Sequence, residues 1–177
     1  MATLIPRPQP GEYRDYASAY VSLVRDGGRI SDYLQAGAST MQALIRAYPP
    51  DKLTVPHEPG EWTVQDVLQH VIDQERVFSY RLLAIARGDQ ASLPGFDQEE
   101  YAAAAGANAR RLDHLLTEYR AVRDATISLV RALPDAVMSN TGTSDGHPLS
   151  ARAAAYILVG HELYHLDSLR QNYGDYT

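Results

Sequence analysis

SARAAAYILVGHELYHLDSLRQNY, residues 150–173, reads as one long helix. Ser150 is a hydroxyl cap, and no proline interrupts the run from there to Tyr173. Ala154, Ile157, Leu158, Tyr164 and Leu169 fall on one face, and His161 and His165 sit in the middle of that stripe. Val159, Leu163 and Leu166, with Tyr156 nearby, form a second stripe. A helix that is apolar on two faces lies at the centre of a bundle or at an interface. The second stripe therefore predicts a subunit contact, and with it a homodimer.

Working back towards the N-terminus, three more helices have the same 3.6-residue pattern. One starts after Ser31, with Leu34, Met41, Leu44, Ile45 and Tyr48 at helical spacing, and stops at Pro49–Pro50. A second is capped by Thr63, with Trp62 in the position to fold back as a staple, and runs to about Arg87 before Gly88. Val64, Val67, Leu68, Val71, Phe78 and Leu82 form its stripe. The third opens at Asp97 with Glu100 three residues on, breaks near Gly106, restarts at Asn108 and continues through Leu115, Tyr119 and Ile127 to Pro134. The segment from Ser139 to Pro148 is small, polar and glycine-containing, and is expected to be non-helical. Tyr16–Val24 is either a short strand or a helical turn, ended by Gly27–Gly28. The chain is thus expected to be all-α: a four-helix bundle over 31–177, behind an irregular N-terminal lead-in, 1–30, packed on it.

Composition narrows the function. Among 177 residues there is no cysteine, which removes disulfides, thiolate metal sites, iron–sulfur clusters and a cysteine nucleophile together. Any metal would have to be held by imidazole, carboxylate and water. The formal net charge is −6 and the 16 Lys and Arg are scattered, so nucleic acid is not an expected partner. No apolar run reaches the ~20 residues that span a bilayer, and the proline-bearing start is unlike a signal peptide, so the expected location is cytoplasmic.

The chemistry centres on His161-Glu162-Leu163-Tyr164-His165. Residues four apart stack about 6 Å apart along a helix, so both imidazoles can reach one ion. The string also matches the H-E-x-x-H pattern of zinc peptidases. Those enzymes usually take a third ligand downstream, and the 12 residues after His165 contain no histidine or glutamate. The third ligand must come from upstream, and His70, beside Val67 and Val71, is the best candidate. His57 and His147 lie in irregular segments, and His114 is expected on the surface. The alternative is that His161 and His165 are core residues satisfied by carbonyls or hydroxyls.

EWTVQDVLQHVIDQERVFSYR (61–81), LPGFDQEEY (93–101) and GHELYHLDSLR (160–170) together resemble the DinB-like (YfiT-like) superfamily. The resemblance spans about Gly11 to Tyr173. It implies a four-helix bundle with a nickel- or zinc-binding triad whose first histidine falls on His70 and whose late pair falls on His161 and His165, and it implies that dimers are common. The chain departs from the pattern at Asp167–Ser168, where many relatives have Gly-Gln.

Three carboxylates complete the candidate site. Glu75 falls in the middle of an apolar stripe, where an unpaired carboxylate is costly. It is expected to pair with an arginine such as Arg152 or, alternatively, to stand behind a ligand histidine and orient its ring. Glu162 and Asp73 are candidate general bases for a metal-bound water. Three readings of function are open. The chain is a metal-dependent enzyme, either a small-molecule hydrolase or a transferase using a low-molecular-weight thiol, with the 139–148 segment forming part of a polar thiol pocket. Otherwise it is a non-catalytic metal-binding or stress-response protein, or a metal-free helical dimer.

Overall fold

Thr63 fixes the start of the second long helix by reciprocal bonds: its side chain accepts from the Asp66 N–H, and the Asp66 carboxylate accepts from the Thr63 N–H at 3.1 Å. In the computed structural model, which describes residues 4–25 and 27–176, such side-chain caps open three of the seven α-helices. The helices are α1 (Ser18–Leu23), α2 (Ile30–Ala47), α3 (Pro50–Leu53), α4 (Val64–Ala86), α5 (Gln98–Ala105), α6 (Leu112–Ala132) and α7 (Ala151–Tyr173). The Ser150 side chain accepts from the Ala153 N–H and caps α7, as its sequence predicts. The Asp97 carboxylate accepts from the N–H groups of Glu99 and Glu100 to open α5, which ends on Gly106 in the left-handed conformation (φ 60°).

Two boundaries differ from the sequence reading. α2 begins at Ile30, one residue before the expected cap, and Ser31 is buried in its first turn. After Gly106 the chain makes a 3-10 turn, Ala107–Ala109, so α6 starts at Leu112 rather than Asn108. The 139–148 segment is non-helical as expected, but it is ordered. The 3-10 turn Asp135–Ser139 leads into two strands of a three-stranded sheet in which β1 (Ser92–Leu93) is parallel to β2 (Thr141–Ser144) and β2 is antiparallel to β3 (His147–Ser150). Asp145 (φ 53°) and Gly146 (φ 72°) form the two-residue turn, the Asp-Gly pair that a tight hairpin favours.

α2, α4, α6 and α7 form the bundle. α4 packs on α6 and α7, and α2 packs on the same two, so α2 and α4 face each other across the centre. The core has two apolar clusters. One contains Ile30, Leu34, Phe78, Leu82, Ile127 and Ala154; the other contains Met41, Leu44, Leu68, Ile72, Leu116 and Leu166. A polar layer separates them. Arg123 of α6, with no exposed surface, donates to Glu75 of α4 (Nε and Nη2, 2.7–3.0 Å), to Glu162 of α7 (2.8 Å) and to the Leu34 carbonyl of α2 (3.0 Å). All four bundle helices meet at this guanidinium.

The lead-in belongs to the core. Ile5, Ala17, Val21 and Val24 are buried, and α1 lies along α7. This corrects the reading of the second α7 stripe. Val159, Leu166 and Tyr156 are buried within the chain, so the stripe needs no second copy to cover it. Among the described residues, no helix is long and apolar enough to cross a membrane.

Candidate metal centre

His70 comes from the second turn of α4, and His161 and His165 come from successive turns of α7, at the place where these two helices pack. All three are buried, with exposures of 4%, 3% and 9%. Their Nε2 atoms converge: His161 Nε2 lies 2.9 Å from His70 Nε2 and 3.1 Å from His165 Nε2. Each neutral Nε2 offers one N–H or one lone pair. The central nitrogen meets two others, and a hydrogen bond satisfies one pairing well, whereas a cation can accept all three lone pairs. Two nitrogens bound to one ion at about 2.1 Å stand about 3 Å apart when the angle between them is near 90°. The donor set therefore fits a metal.

Electrostatics points the same way. Burial lowers the pKa of His70 to about 4 and that of His165 to about 3. It drives His161 well below the ordinary value, and the neighbouring His165 and His70 add to the effect. All three are neutral near pH 7, the form in which imidazole binds metal.

His70 and His165 line a pocket of about 440 Å³, and His161 lies behind them. Trp62 stands against His70 (ring centroids 4.7 Å apart), Tyr20 against His161 (5.3 Å) and Tyr164 against His165 (5.3 Å). Glu61 and Glu99 also line the pocket, and Glu99 accepts from Trp62 Nε1 at 3.2 Å. Among the described residues, no lysine or arginine lines it. Ser168 is on this wall, while Asp167 is exposed.

The family assignment rests on this geometry together with the sequence. Residues 33–169 match the model of the DinB superfamily. The chain belongs to that superfamily. This DinB protein is similar in fold to YfiT from Bacillus subtilis, described as a probable metal-dependent hydrolase with an unusual four-helix bundle topology. The TM-score is 0.71 at 14% identity, over 96% of this chain and 94% of that one. No curated protein matches the sequence.

Several predicted positions take other roles in this DinB protein. Glu75 pairs with Arg123, not with Arg152, which binds Glu12 of the lead-in through its Nε at 2.7 Å. Glu12 holds Arg152 because the lead-in folds over the start of α7, where Glu12 also bonds Ser150. Glu162 faces the bundle centre, where Arg123 and the Tyr119 hydroxyl take its two oxygens. Asp73 faces a separate depression beside Gln69, whose Nε2 donates to it at 3.0 Å, and burial raises its pKa. Neither Glu162 nor Asp73 lines the triad pocket. The 139–148 hairpin does not line it either. His57 lines the rim, and His114 is exposed as expected. Tyr20, Glu61, Glu99 and Tyr164 were missed as wall residues. Tyr164 read as part of an apolar stripe, yet it is 48% exposed.

Proposed function

We propose that the protein is a metal-dependent enzyme acting on a small molecule, with His70, His161 and His165 holding one divalent ion, zinc or nickel. The observation that carries this reading is that the buried triad opens onto a pocket. A structural metal is normally closed off by protein ligands, whereas a catalytic one keeps a position free. When bound, such an ion supplies Lewis acidity and lowers the pKa of water or of a thiol. The chain supplies the rest. Trp62, Tyr20, Tyr164 and Tyr173 give the pocket aromatic walls that hold an apolar substrate body. Glu61 and Glu99 are the carboxylates on the pocket wall, so the base role passes to them from Glu162 and Asp73.

The wall also selects charge. Two carboxylates and several ring faces, without a lysine or arginine among them, favour a neutral or cationic substrate over an anionic one. Hydrolysis of a neutral ester or amide is the reading these walls support best. Transfer of a low-molecular-weight thiol would use the same site, and the missing cations restrict it to an uncharged thiol.

The test is elemental analysis of untagged protein beside a His70→Ala/His165→Ala variant, followed by a screen of neutral, cationic and anionic esters, amides and thiol acceptors. About one metal per chain in the parent, none in the variant, and turnover lost in Glu99→Gln or Glu61→Gln are expected. A parent that takes up neither Zn²⁺ nor Ni²⁺ would end the metal reading. A metal-loaded parent without turnover would leave a non-catalytic binding protein.

A further inference from the structure

Among the described residues, Arg81 is a buried cation without an ion pair. It lies on α4 with 5% of its surface exposed. Its Nη2 donates to the Pro94 carbonyl at 2.8 Å, and its guanidinium stands over the rings of Phe78 (4.7 Å) and Phe96 (5.8 Å). Among the described residues, no carboxylate forms an ion pair with it within 4.0 Å. The fully buried Arg123 and the partly buried Arg152, by contrast, each grip a carboxylate. Burial lowers the pKa of Arg81, yet a guanidinium stays charged in proteins. Only one carbonyl bonds it directly, Tyr16 and Asp145 supporting its charge from a longer range, and a desolvated charge is costly unless something completes its shell.

The space for that partner is present. Arg81 borders a cavity of about 70 Å³, several times the roughly 10–15 Å³ that one water needs. None of its nitrogens is both sealed off and unbonded, and Arg81 lines this volume. Phe78, Phe96, Leu149 and Ile157 give the cavity apolar walls, and Arg14 and Asp145, paired at 2.9 Å, sit at its rim. It shares no lining residue with the triad pocket. Arg81 is eleven positions beyond His70, about 16 Å along α4.

We propose that this cavity binds a small monocarboxylate, with its carboxylate on Arg81 and its short apolar tail against Phe78, Phe96 and Ile157. The planar guanidinium fork matches a carboxylate in geometry and charge. The Asp145 carboxylate repels a second negative charge, which disfavours a dianionic phosphate, and the apolar part of the lining suits a hydrocarbon tail. A monoanion with a hydrocarbon stub fits on both counts. The site is independent of the metal reading.

The experiment is calorimetric titration of the full chain with propionate, with chloride and phosphate at equal ionic strength as comparisons. Saturable propionate binding with a Kd on the order of millimolar is expected for so small a ligand. Arg81→Gln should weaken it at least about tenfold, the loss typical of a charged hydrogen-bond partner. Asp145→Asn should tighten it several-fold, because it removes the repelling charge and leaves an Asn-Gly turn that suits the hairpin. If Arg81→Gln fails to fold, the Asp145→Asn variant decides the matter, since it keeps Arg81 in place. No saturable binding, an equal response to chloride, tighter binding of phosphate than of propionate, or an affinity unmoved by Asp145→Asn would each overturn the assignment.

Discussion

Three neutral imidazoles crowded at 2.9 and 3.1 Å make the metal-free chain sensitive to acid. Unfolded histidines take up protons near pH 6.5, but in the fold burial holds His70 near 4 and His165 near 3, and it lowers His161 well below its ordinary value. Below pH 6.5 the unfolded state therefore binds more protons than the native one. Stability is fully present above that pH and falls as the pH drops towards the folded values, by up to about 1.4 kcal/mol per pH unit for each histidine. Urea midpoints of metal-free protein at pH 7.5 and 5.0 should differ accordingly, and saturating Zn²⁺ should raise the pH 7.5 midpoint far more than the pH 5.0 one. Equal metal-free midpoints would mean that the histidines titrate normally and are not buried in this way. The i, i+4 spacing made the late pair legible in the sequence. His70 was reachable only by elimination and family resemblance, because no local pattern says which α4 residue faces α7. Glu162 was misread for a physical reason: adjacency to His161 puts a side chain about 100° around the helix, towards the bundle centre instead of the pocket.

At the scale of elements, α1 supplies part of the wall beside the triad. Its Tyr20 stands against His161 and also against Tyr164, at 5.5 Å, so one short helix completes the aromatic wall. This contact exists because α1 comes down onto α7 at Gly160, where a Cβ would lie 2.0 Å from the Tyr20 carbonyl oxygen. Gly160→Ala should therefore lift α1 and leave α7 helical, since alanine favours a helix more than glycine does. We expect a loss of about 1–3 kcal/mol from the overpacked contact, together with metal release to a chelator several-fold faster than from the parent. Wild-type release rates in that variant would show that α1 does not guard the site. This element was the least legible part of the sequence. Tyr16–Val24 has too few residues for periodicity to distinguish strand from helix, and its burial depends on a glycine more than a hundred positions away. The starts of α4 and α7 and the stop of α2 were legible because Thr63 with Asp66, Ser150 and Pro49–Pro50 mark them. By contrast, α2 and α6 open without a side-chain cap, and there the sequence reading missed the boundary. The hairpin was read only as a non-helical loop, since its strands are as short and polar as a turn.

For the whole molecule, the two apolar clusters are joined by a layer in which two carboxylates share one guanidinium. Burial opposes the charge on Arg123, but Glu162 and Glu75 outweigh it and hold its pKa well above the ordinary value. Glu162 fits there because α2 carries Gly37 opposite, where a Cβ would lie 2.0 Å from its Oε2. Such a layer need not add net stability. Taking one partner away is costly because it strands a buried charge, whereas replacing the whole set with apolar side chains is often neutral. Arg123→Met should therefore cost about 3–5 kcal/mol, and the triple variant Arg123→Met/Glu75→Met/Glu162→Met should recover most of that in urea unfolding. What the apolar triple should lose is fixed registry. Arg123 bonds to one specified group on each of the other three helices, and the same α4–α7 registry brings His70 to His161 and His165. A repacked apolar layer can slide, so the triple variant should bind metal more weakly than the parent while matching it in stability. If it matched the parent in both, the ionic layer would have no part in holding the triad together, and helix packing alone would set the site.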